Sequence, residues 1–246
     1  MKKTLITRFF HIRMLSGSCC RYKKVQPSVK SKNVSSHDWL TRQLSDPFVE
    51  MAKKYNYRCR SAFKLIEIDD KFKILLPGNV VIDCGAAPGS WTQVAVKRVN
   101  ANLSDKNGSQ GTVIAIDKQL IYPIEGASIF ENMDFTEQTS QEKLVNFLGS
   151  NRADAVLSDM APSATGIRDL DRENIIKLCY SALKFAVIVS KKGASVLVKL
   201  WQGQEMLDLQ RDMSRFYDNV KIVKPNSSRS DSIEMFMLGR GFKGLR

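Results

Sequence analysis

"IDCGAAPGSW", residues 82–91, is the stretch on which the fold turns. The apolar run "NVVID" (79–83) leads into it, and "SWTQVAVKRV" (90–99) leaves it with helical character. A short apolar run of this kind suits a parallel strand buried on both faces. Between the two, Gly85, Ala87 and Gly89 keep the turn bare, so a ligand can approach its backbone closely. A dinucleotide fingerprint would read G-x-G-x-x-G, whereas this turn reads G-A-A-P-G. A phosphate loop would carry a lysine, and there is none; Pro88 also removes an amide that a phosphate could use. The turn therefore suits a nucleotide-like ligand with little or no phosphate.

Outward from the turn, strands and helices alternate. Two helical segments precede it, broken near Asn56, the second carrying Ala62, Phe63, Ile66 and Phe72. Strands are expected at 112–117, before Asn132, at 153–159 and at 194–200, with helices over "TEQTSQEKLVNFLG", 171–190 and "QEMLDLQRDMSRFY". The long helix shows Ile175, Leu178, Ala182, Ala186 and Val189 as its apolar stripe, and Gly193 is expected to end it. The closing strands "NVKIVKP" and "EMFMLGR" are joined by a polar loop too short for a parallel crossover, so the last strand should run antiparallel to its neighbour. The expected architecture is α/β: a Rossmann-like, seven-stranded, mostly parallel sheet with an antiparallel last strand and helices on both faces. This is the sheet of class I methyltransferases dependent on S-adenosylmethionine (SAM).

SAM meets the demands of the turn. Asp83, at a strand end, suits its ammonium, and the turn backbone suits its carboxylate. Asp117 closes the next strand, where a carboxylate can take both ribose hydroxyls, as in dinucleotide folds. Asp134, past the third strand, suits the adenine amino group. The expected cofactor contacts are thus Asp83, the turn residues Gly85, Ala86, Ala87, Pro88, Gly89, Ser90 and Trp91, and the acids Asp117, Asp134 and Asp159. Each acid taken alone could simply cap the following element; three at successive strand ends point to a ligand.

The methyl acceptor follows by elimination. "SDMAP" (158–162) lacks the Asn/Asp-Pro-Pro-aromatic turn of amino-group methylases, and no cysteine follows a proline as cytosine C5 chemistry requires. An oxygen acceptor remains, and it must lose a proton. The only histidines are His11 and His37, outside or at the edge of the body, so a lysine beside a second cation is the natural base. Lys199 ends the fifth strand, near Asp159.

Five stretches, "RSAFKLIEID", "VIDCGAAPGSWTQVA", "LSDMAPSATG", "VLVKLWQG" and "SSRSDSIEMFMLG", match a known family in order and at comparable separations. Over about residues 37–241 the sequence resembles the FtsJ-type ribosomal RNA 2′-O-ribose methyltransferases. The resemblance implies a Lys-Asp-Lys-Glu tetrad at Lys64, Asp159, Lys199 and Glu234. Lys199 would be the base, Asp159 and Lys64 would orient and tune it, and Glu234 would support the acceptor. It also implies a uridine ribose in the peptidyl-transferase loop of large-subunit rRNA as substrate. The polar stretch 101–111 departs from the family pattern and is expected at the surface.

Charge is distributed unevenly. The net charge is +13, yet residues 1–36 hold nine basic residues and no acid, and the rest carries 29 basic against 25 acidic groups. With Leu5, Phe9 and Ile12 on one face of a possible helix, residues 1–35 read as a mitochondrial transit peptide, placing the protein in the matrix. Residues 36–246 read as one methyltransferase domain whose helices over 36–76 contact RNA. There "KKYNYRCRSAFK" (53–64) offers Lys53, Lys54, Arg58 and Arg60 for phosphates and Tyr55 and Tyr57 for bases. The partner expected is mitochondrial large-subunit rRNA, or the assembling large ribosomal subunit, bound by a monomer. Cys19, Cys20, Cys59, Cys84 and Cys179 form no C-x-x-C pair, so no metal is expected. No apolar run approaches a membrane span. Two alternatives stay open: an RNA-binding ribosome-assembly factor with a silent methyltransferase fold, and a methyltransferase acting on a protein or small molecule.

Overall fold

The computed structural model describes residues 46–245. The transit peptide, its boundary at 35 and His37 lie outside the described residues.

Strand β1, Val80–Cys84, has Val81 to Cys84 fully buried. Such a strand needs cover on both faces, and the sheet supplies it. Its seven strands run in the order β3-β2-β1-β4-β5-β7-β6, with β2 Thr112–Ile116, β3 Ala127–Phe130, β4 Ala153–Ser158, β5 Ser190–Trp201, β6 Tyr217–Val223 and β7 Glu234–Phe242. β1 pairs in parallel with β2 on one side and β4 on the other. Strand order therefore reverses beside β1, and the crevice at the carboxyl ends of β1 and β4 is where sheets of this class take ligands. β7 lies between β5 and β6, antiparallel to both, as the short final connection requires.

Side-chain alternation sorts the two faces. Val81, Val113, Leu157, Leu197, Phe236 and Leu238 pack with α2 (Ala62–Phe72) and α3 (Ser90–Val99), which follow the short α1 (Pro47–Lys54). Ile82, Ile114, Val156, Val198 and Met237 pack under α4 (Gln138–Leu148), α5 (Arg168–Val189) and α6 (Glu205–Phe216). Asp83 and Lys199 have the parity of Val81 and Leu197, so both belong to the α2–α3 face.

Helix starts follow local chemistry. Asp46 caps α1, its Oδ1 accepting from the Phe48 amide at 3.0 Å, with Pro47 at the first helical position. The span of α3 is the one expected. Along α5, Cys179 is buried where Leu178 was expected, and Leu178 is only partly covered. Gly193 is a correction. α5 ends at Val189, and Gly193, at φ +87°, lies inside β5. There the pairing with β4 jumps from Ala153↔Ser190 to Ala155↔Ser195, and the surplus residues of β5 bulge out around the glycine.

Among the described residues no helix is long and apolar enough to cross a membrane, and no three His, Cys, Asp or Glu side chains group as metal ligands would.

Candidate active site

The turn after β1 is held mostly by its own chain. The Gly85 and Ala86 amides donate to the Ile116 carbonyl at 2.9 and 3.1 Å, and the Gly89 amide donates to the Ala86 carbonyl at 2.6 Å. The Ala87 amide donates to Asp117 Oδ2 at 2.9 Å. The space left by the glycines is filled from within. A Cβ at Gly85 would collide with Met160, whose Cα lies 3.1 Å from that position. One at Gly89 would stand 2.6 Å from Arg58 Nη1 and 2.7 Å from Ile124 Cδ1. Both glycines also have positive φ, +77° and +110°. Positive φ and the closeness of Met160 and Arg58 both favour glycine at these two positions. The amides at the start of α3, Ser90 and Trp91, have no acceptor within the helix and sit at its positive end. Trp91 can offer only that amide. Its ring is buried against Phe236 at 5.6 Å, and its Nε1 donates to the Ser61 carbonyl at 2.9 Å.

Asp83 is the most perturbed acid. It is fully buried. Its Oδ2 accepts from Thr92 Oγ1 at 2.7 Å, while Oδ1 has no hydrogen-bond partner among the described residues. Burial pushes its carboxyl up to about 7; hydrogen bonds from Thr92 oppose that, and Asp159 and Asp117 add to it. A buried carboxylate with one orphaned oxygen, close to a helix N-terminus, fits a ligand that carries both an ammonium and a carboxylate. Thr92 was not legible as part of this site, since a threonine on a helix gives no signal of the acid it will meet.

Asp117 and Asp134 both serve local structure. Asp117 accepts from Ala87 and, through Oδ1, from the Gln119 amide at 2.7 Å. Each carboxylate oxygen has two acceptor sites, so one on each remains. Asp134 Oδ1 accepts from the Thr136 hydroxyl and amide at 2.7 and 2.8 Å, which hold its carboxyl below the usual range.

The four residues of the expected tetrad come from α2, β5, β7 and the residue after β4. Lys199 Nζ donates to the Asp159 carbonyl oxygen at 2.5 Å and faces Asp159 Oδ1 at 3.1 Å without an aligned hydrogen bond. Lys64 Nζ pairs with Glu234 Oε1 at 2.6 Å. Phe236 links the two pairs. It is the cross-strand partner of Lys199, and Lys64 Nζ sits over its ring, 5.8 Å from the centroid. All four side chains are between 10% and 18% exposed. Two ammonium groups from distant parts of the chain thus share one face beside the crevice of Asp83.

Cys84 and Cys179 are poorly suited to act as nucleophiles. Burial pushes the Cys84 thiol well above its ordinary value and the Cys179 thiol up to about 12. A thiolate nucleophile is disfavoured at both positions.

The basic stretch 53–60 divides in two. Lys53 and Lys54 are exposed on α1, Lys53 pairing with Glu50 at 2.7 Å and Lys54 lying over the Tyr55 ring at 5.7 Å. Lys97, which composition did not single out, lies 4.5 Å from the centroid of Tyr57. The guanidinium groups of the two arginines are engaged by the protein's own chain, Arg58's at the surface and Arg60's half-buried. Arg58 donates from Nη1 to the Pro88 carbonyl at 2.7 Å and from Nη2 to the Pro123 carbonyl at 2.9 Å. Arg60 pairs with Asp46 at 2.9 Å and donates to the Ser227 carbonyl at 2.5 Å. Glu67, also missed, accepts from the Asn226 and Ser227 amides at 2.7 and 2.9 Å, fastening the 224–233 loop beside Glu234. The groove of about 1090 Å³ between α4 and α5 is on the opposite helical layer, and of the site residues named above only Thr136, the partner of Asp134, lines it.

Known proteins match this arrangement along nearly its whole length. A mitochondrial rRNA methyltransferase 2 of Drosophila melanogaster is 53% identical over 91% of this chain and 90% of its own length. A ribosomal RNA large subunit methyltransferase E of Cereibacter sphaeroides is 45% identical over 88% of each. A crystal structure from Plasmodium falciparum, described as a ribosomal RNA methyltransferase, superposes with a TM-score of 0.67 at 28% identity, covering 77% of this chain and all of that one. The model of one family spans residues 57–242, from the Arg58 segment through β7, and the chain belongs to that family, the FtsJ-like methyltransferases.

Proposed function

We propose that this chain uses SAM to methylate the ribose 2′-hydroxyl of a uridine in the peptidyl-transferase loop of mitochondrial large-subunit rRNA, in the matrix, in support of ribosome assembly. The observation that carries the reading is the meeting of Lys64 and Lys199 around Phe236, each against its own carboxylate. The names of the relatives support large-subunit rRNA as the substrate class and the mitochondrion as the compartment, and the acid-free basic leader supports the mitochondrion.

SAM bound in the crevice would supply a methyl group on a sulfonium, an excellent leaving group. The protein's task is then to hold the acceptor in line and to remove one proton. Asp83 would face the amine of the methionine part, and the Ser90 and Trp91 amides its carboxylate. The remaining acceptor sites of Asp117 would take the ribose hydroxyls, and Asp134 the adenine amino group. The tetrad holds two cations and two anions, so its charges cancel in pairs. Such a site has no preference for a phosphate and suits a neutral hydroxyl. Glu234, held by Lys64, would orient the target ribose. Lys199, held by Asp159, would first give up its own ammonium proton to water and then take the 2′-hydroxyl proton, as the oxygen–methyl bond forms and the sulfur–methyl bond breaks to leave a neutral thioether.

The test is to map ribose methylation across mitochondrial rRNA with and without the protein. Loss of one 2′-O-methyluridine in the large-subunit rRNA is expected. An unchanged methylation map overturns the reading in favour of a silent assembly factor.

RNA grip falls to Lys53 and Lys54, with Tyr55, Tyr57 and Lys97 beside them. Reversing both charges, Lys53→Glu with Lys54→Glu, should flatten the log–log salt dependence of RNA binding by about 1 to 2 units, near 0.7 per lost contact to a single strand. An unchanged slope moves the RNA surface elsewhere.

A further inference from the structure

We propose that Arg58 is a positioning residue of the cofactor cleft, holding the loops after β1 and β2 at a fixed separation, and not a contact to RNA. The inference rests on the cofactor reading above. Pro88 belongs to the turn after β1 and Pro123 to the loop after β2, and the fork of one guanidinium donates to both carbonyls, at 2.7 and 2.9 Å. The same two loops are joined a second time by the Ala87 amide and Asp117. Two ties fix the spacing of two walls, where one tie would leave a hinge.

The fork is itself held in place. The Arg58 amide donates to Gln93 Oε1 at 3.0 Å, and Gln93 Nε2 donates back to the Asn56 carbonyl at 3.0 Å, so α3 grips the strand of chain that carries Arg58. The guanidinium fills the space where a Gly89 side chain would stand, beside Ile124. Partial burial draws its pKa below the ordinary value. Lysine cannot reproduce this arrangement. It keeps the charge but presents a single point, without the planar fork that reaches two acceptors.

That difference supplies the experiment. Arg58→Lys and Arg58→Gln are made in the full chain and checked for cooperative melting. SAM affinity is then measured by calorimetry, RNA affinity across a salt series, and amide hydrogen exchange in the SAM-free protein. Arg58→Lys is expected to weaken SAM binding about 10-fold, the scale of one lost charge-assisted hydrogen bond. It should also speed exchange at the Ala87 and Gly89 amides and leave the salt slope of RNA binding unchanged. Arg58→Gln should behave likewise, and it carries the test if the lysine variant does not fold. Wild-type SAM affinity and exchange in either folded variant overturn the brace, as does a flattened RNA salt slope with SAM binding intact. Failure of the wild-type protein itself to bind SAM overturns the cofactor reading, which is a separate outcome.

Discussion

Lys199→Ala should lower ribose methylation by a factor of about 10³, within the range that a positioned proton acceptor supplies, while SAM binding persists. Lys199→Arg is the sharper variant. Arginine keeps the positive charge and can still reach Asp159, but it does not give up its proton in a protein. If Lys199 serves as the base, the arginine variant is as inactive as alanine. If it serves only as a fixed charge, arginine restores much of the rate. Single-turnover methylation of an rRNA fragment separates the two, and calorimetry with SAM shows whether the crevice is intact. Substantial activity in the arginine variant would remove Lys199 as proton acceptor. Lys199 contacts two oxygens of Asp159, so alanine also leaves that carboxylate without its cation. For this reason the comparison between variants carries more weight than either value.

Asp83→Asn is expected to act in opposite directions on cofactor binding and on stability. The folded carboxyl sits at about 7 against an ordinary 3.8. The native state therefore keeps a proton that the unfolded chain has released. As pH rises from about 4 to about 7 the SAM-free protein loses stability, by a few kcal/mol if the whole shift is expressed. Asparagine does not ionise and escapes that loss. The variant should melt higher than wild type at pH 8 and close to it at pH 4. SAM affinity should move the other way. With no carboxylate to meet the ligand's ammonium, binding should fall about 10²-fold at pH 8. In wild type, affinity should climb with pH through 7 as Asp83 ionises. Melting curves from pH 4 to 8, with and without SAM, check both halves. A variant less stable than wild type at pH 8, or one that binds SAM normally, would contradict this account of Asp83.

Much of the fold could be read from local pattern. β1, the turn and α3 were legible because an apolar run, a glycine pair and a helical repeat follow one another within twenty residues. The antiparallel course of the last strand followed from loop length alone. Gly193 was misjudged because a glycine after an apolar helix signals a cap and a bulge equally, and only pairing with β4 decides between them. The tetrad lies on four elements, so no spacing rule finds it; it became visible through resemblance to a family. Arg58 and Arg60 were the least legible. Counting basic residues cannot reveal whether a guanidinium faces solvent or a carbonyl, and the acceptors, Pro88, Pro123 and Ser227, are main-chain atoms that any sequence would provide. Trp91 was assigned to the cofactor by its neighbours in sequence, whereas its ring was claimed by Phe236 from across the sheet.

Because β7 is inserted between β5 and β6, those two strands meet only through it. Glu234 and the aromatic ring that unites the two lysines are both carried by this wedge, which is the final strand along the chain to take its place. Without that strand the molecule would lack Glu234 and Phe236, and β5 and β6 would lose their common neighbour, so the tetrad cannot be complete before the sheet is.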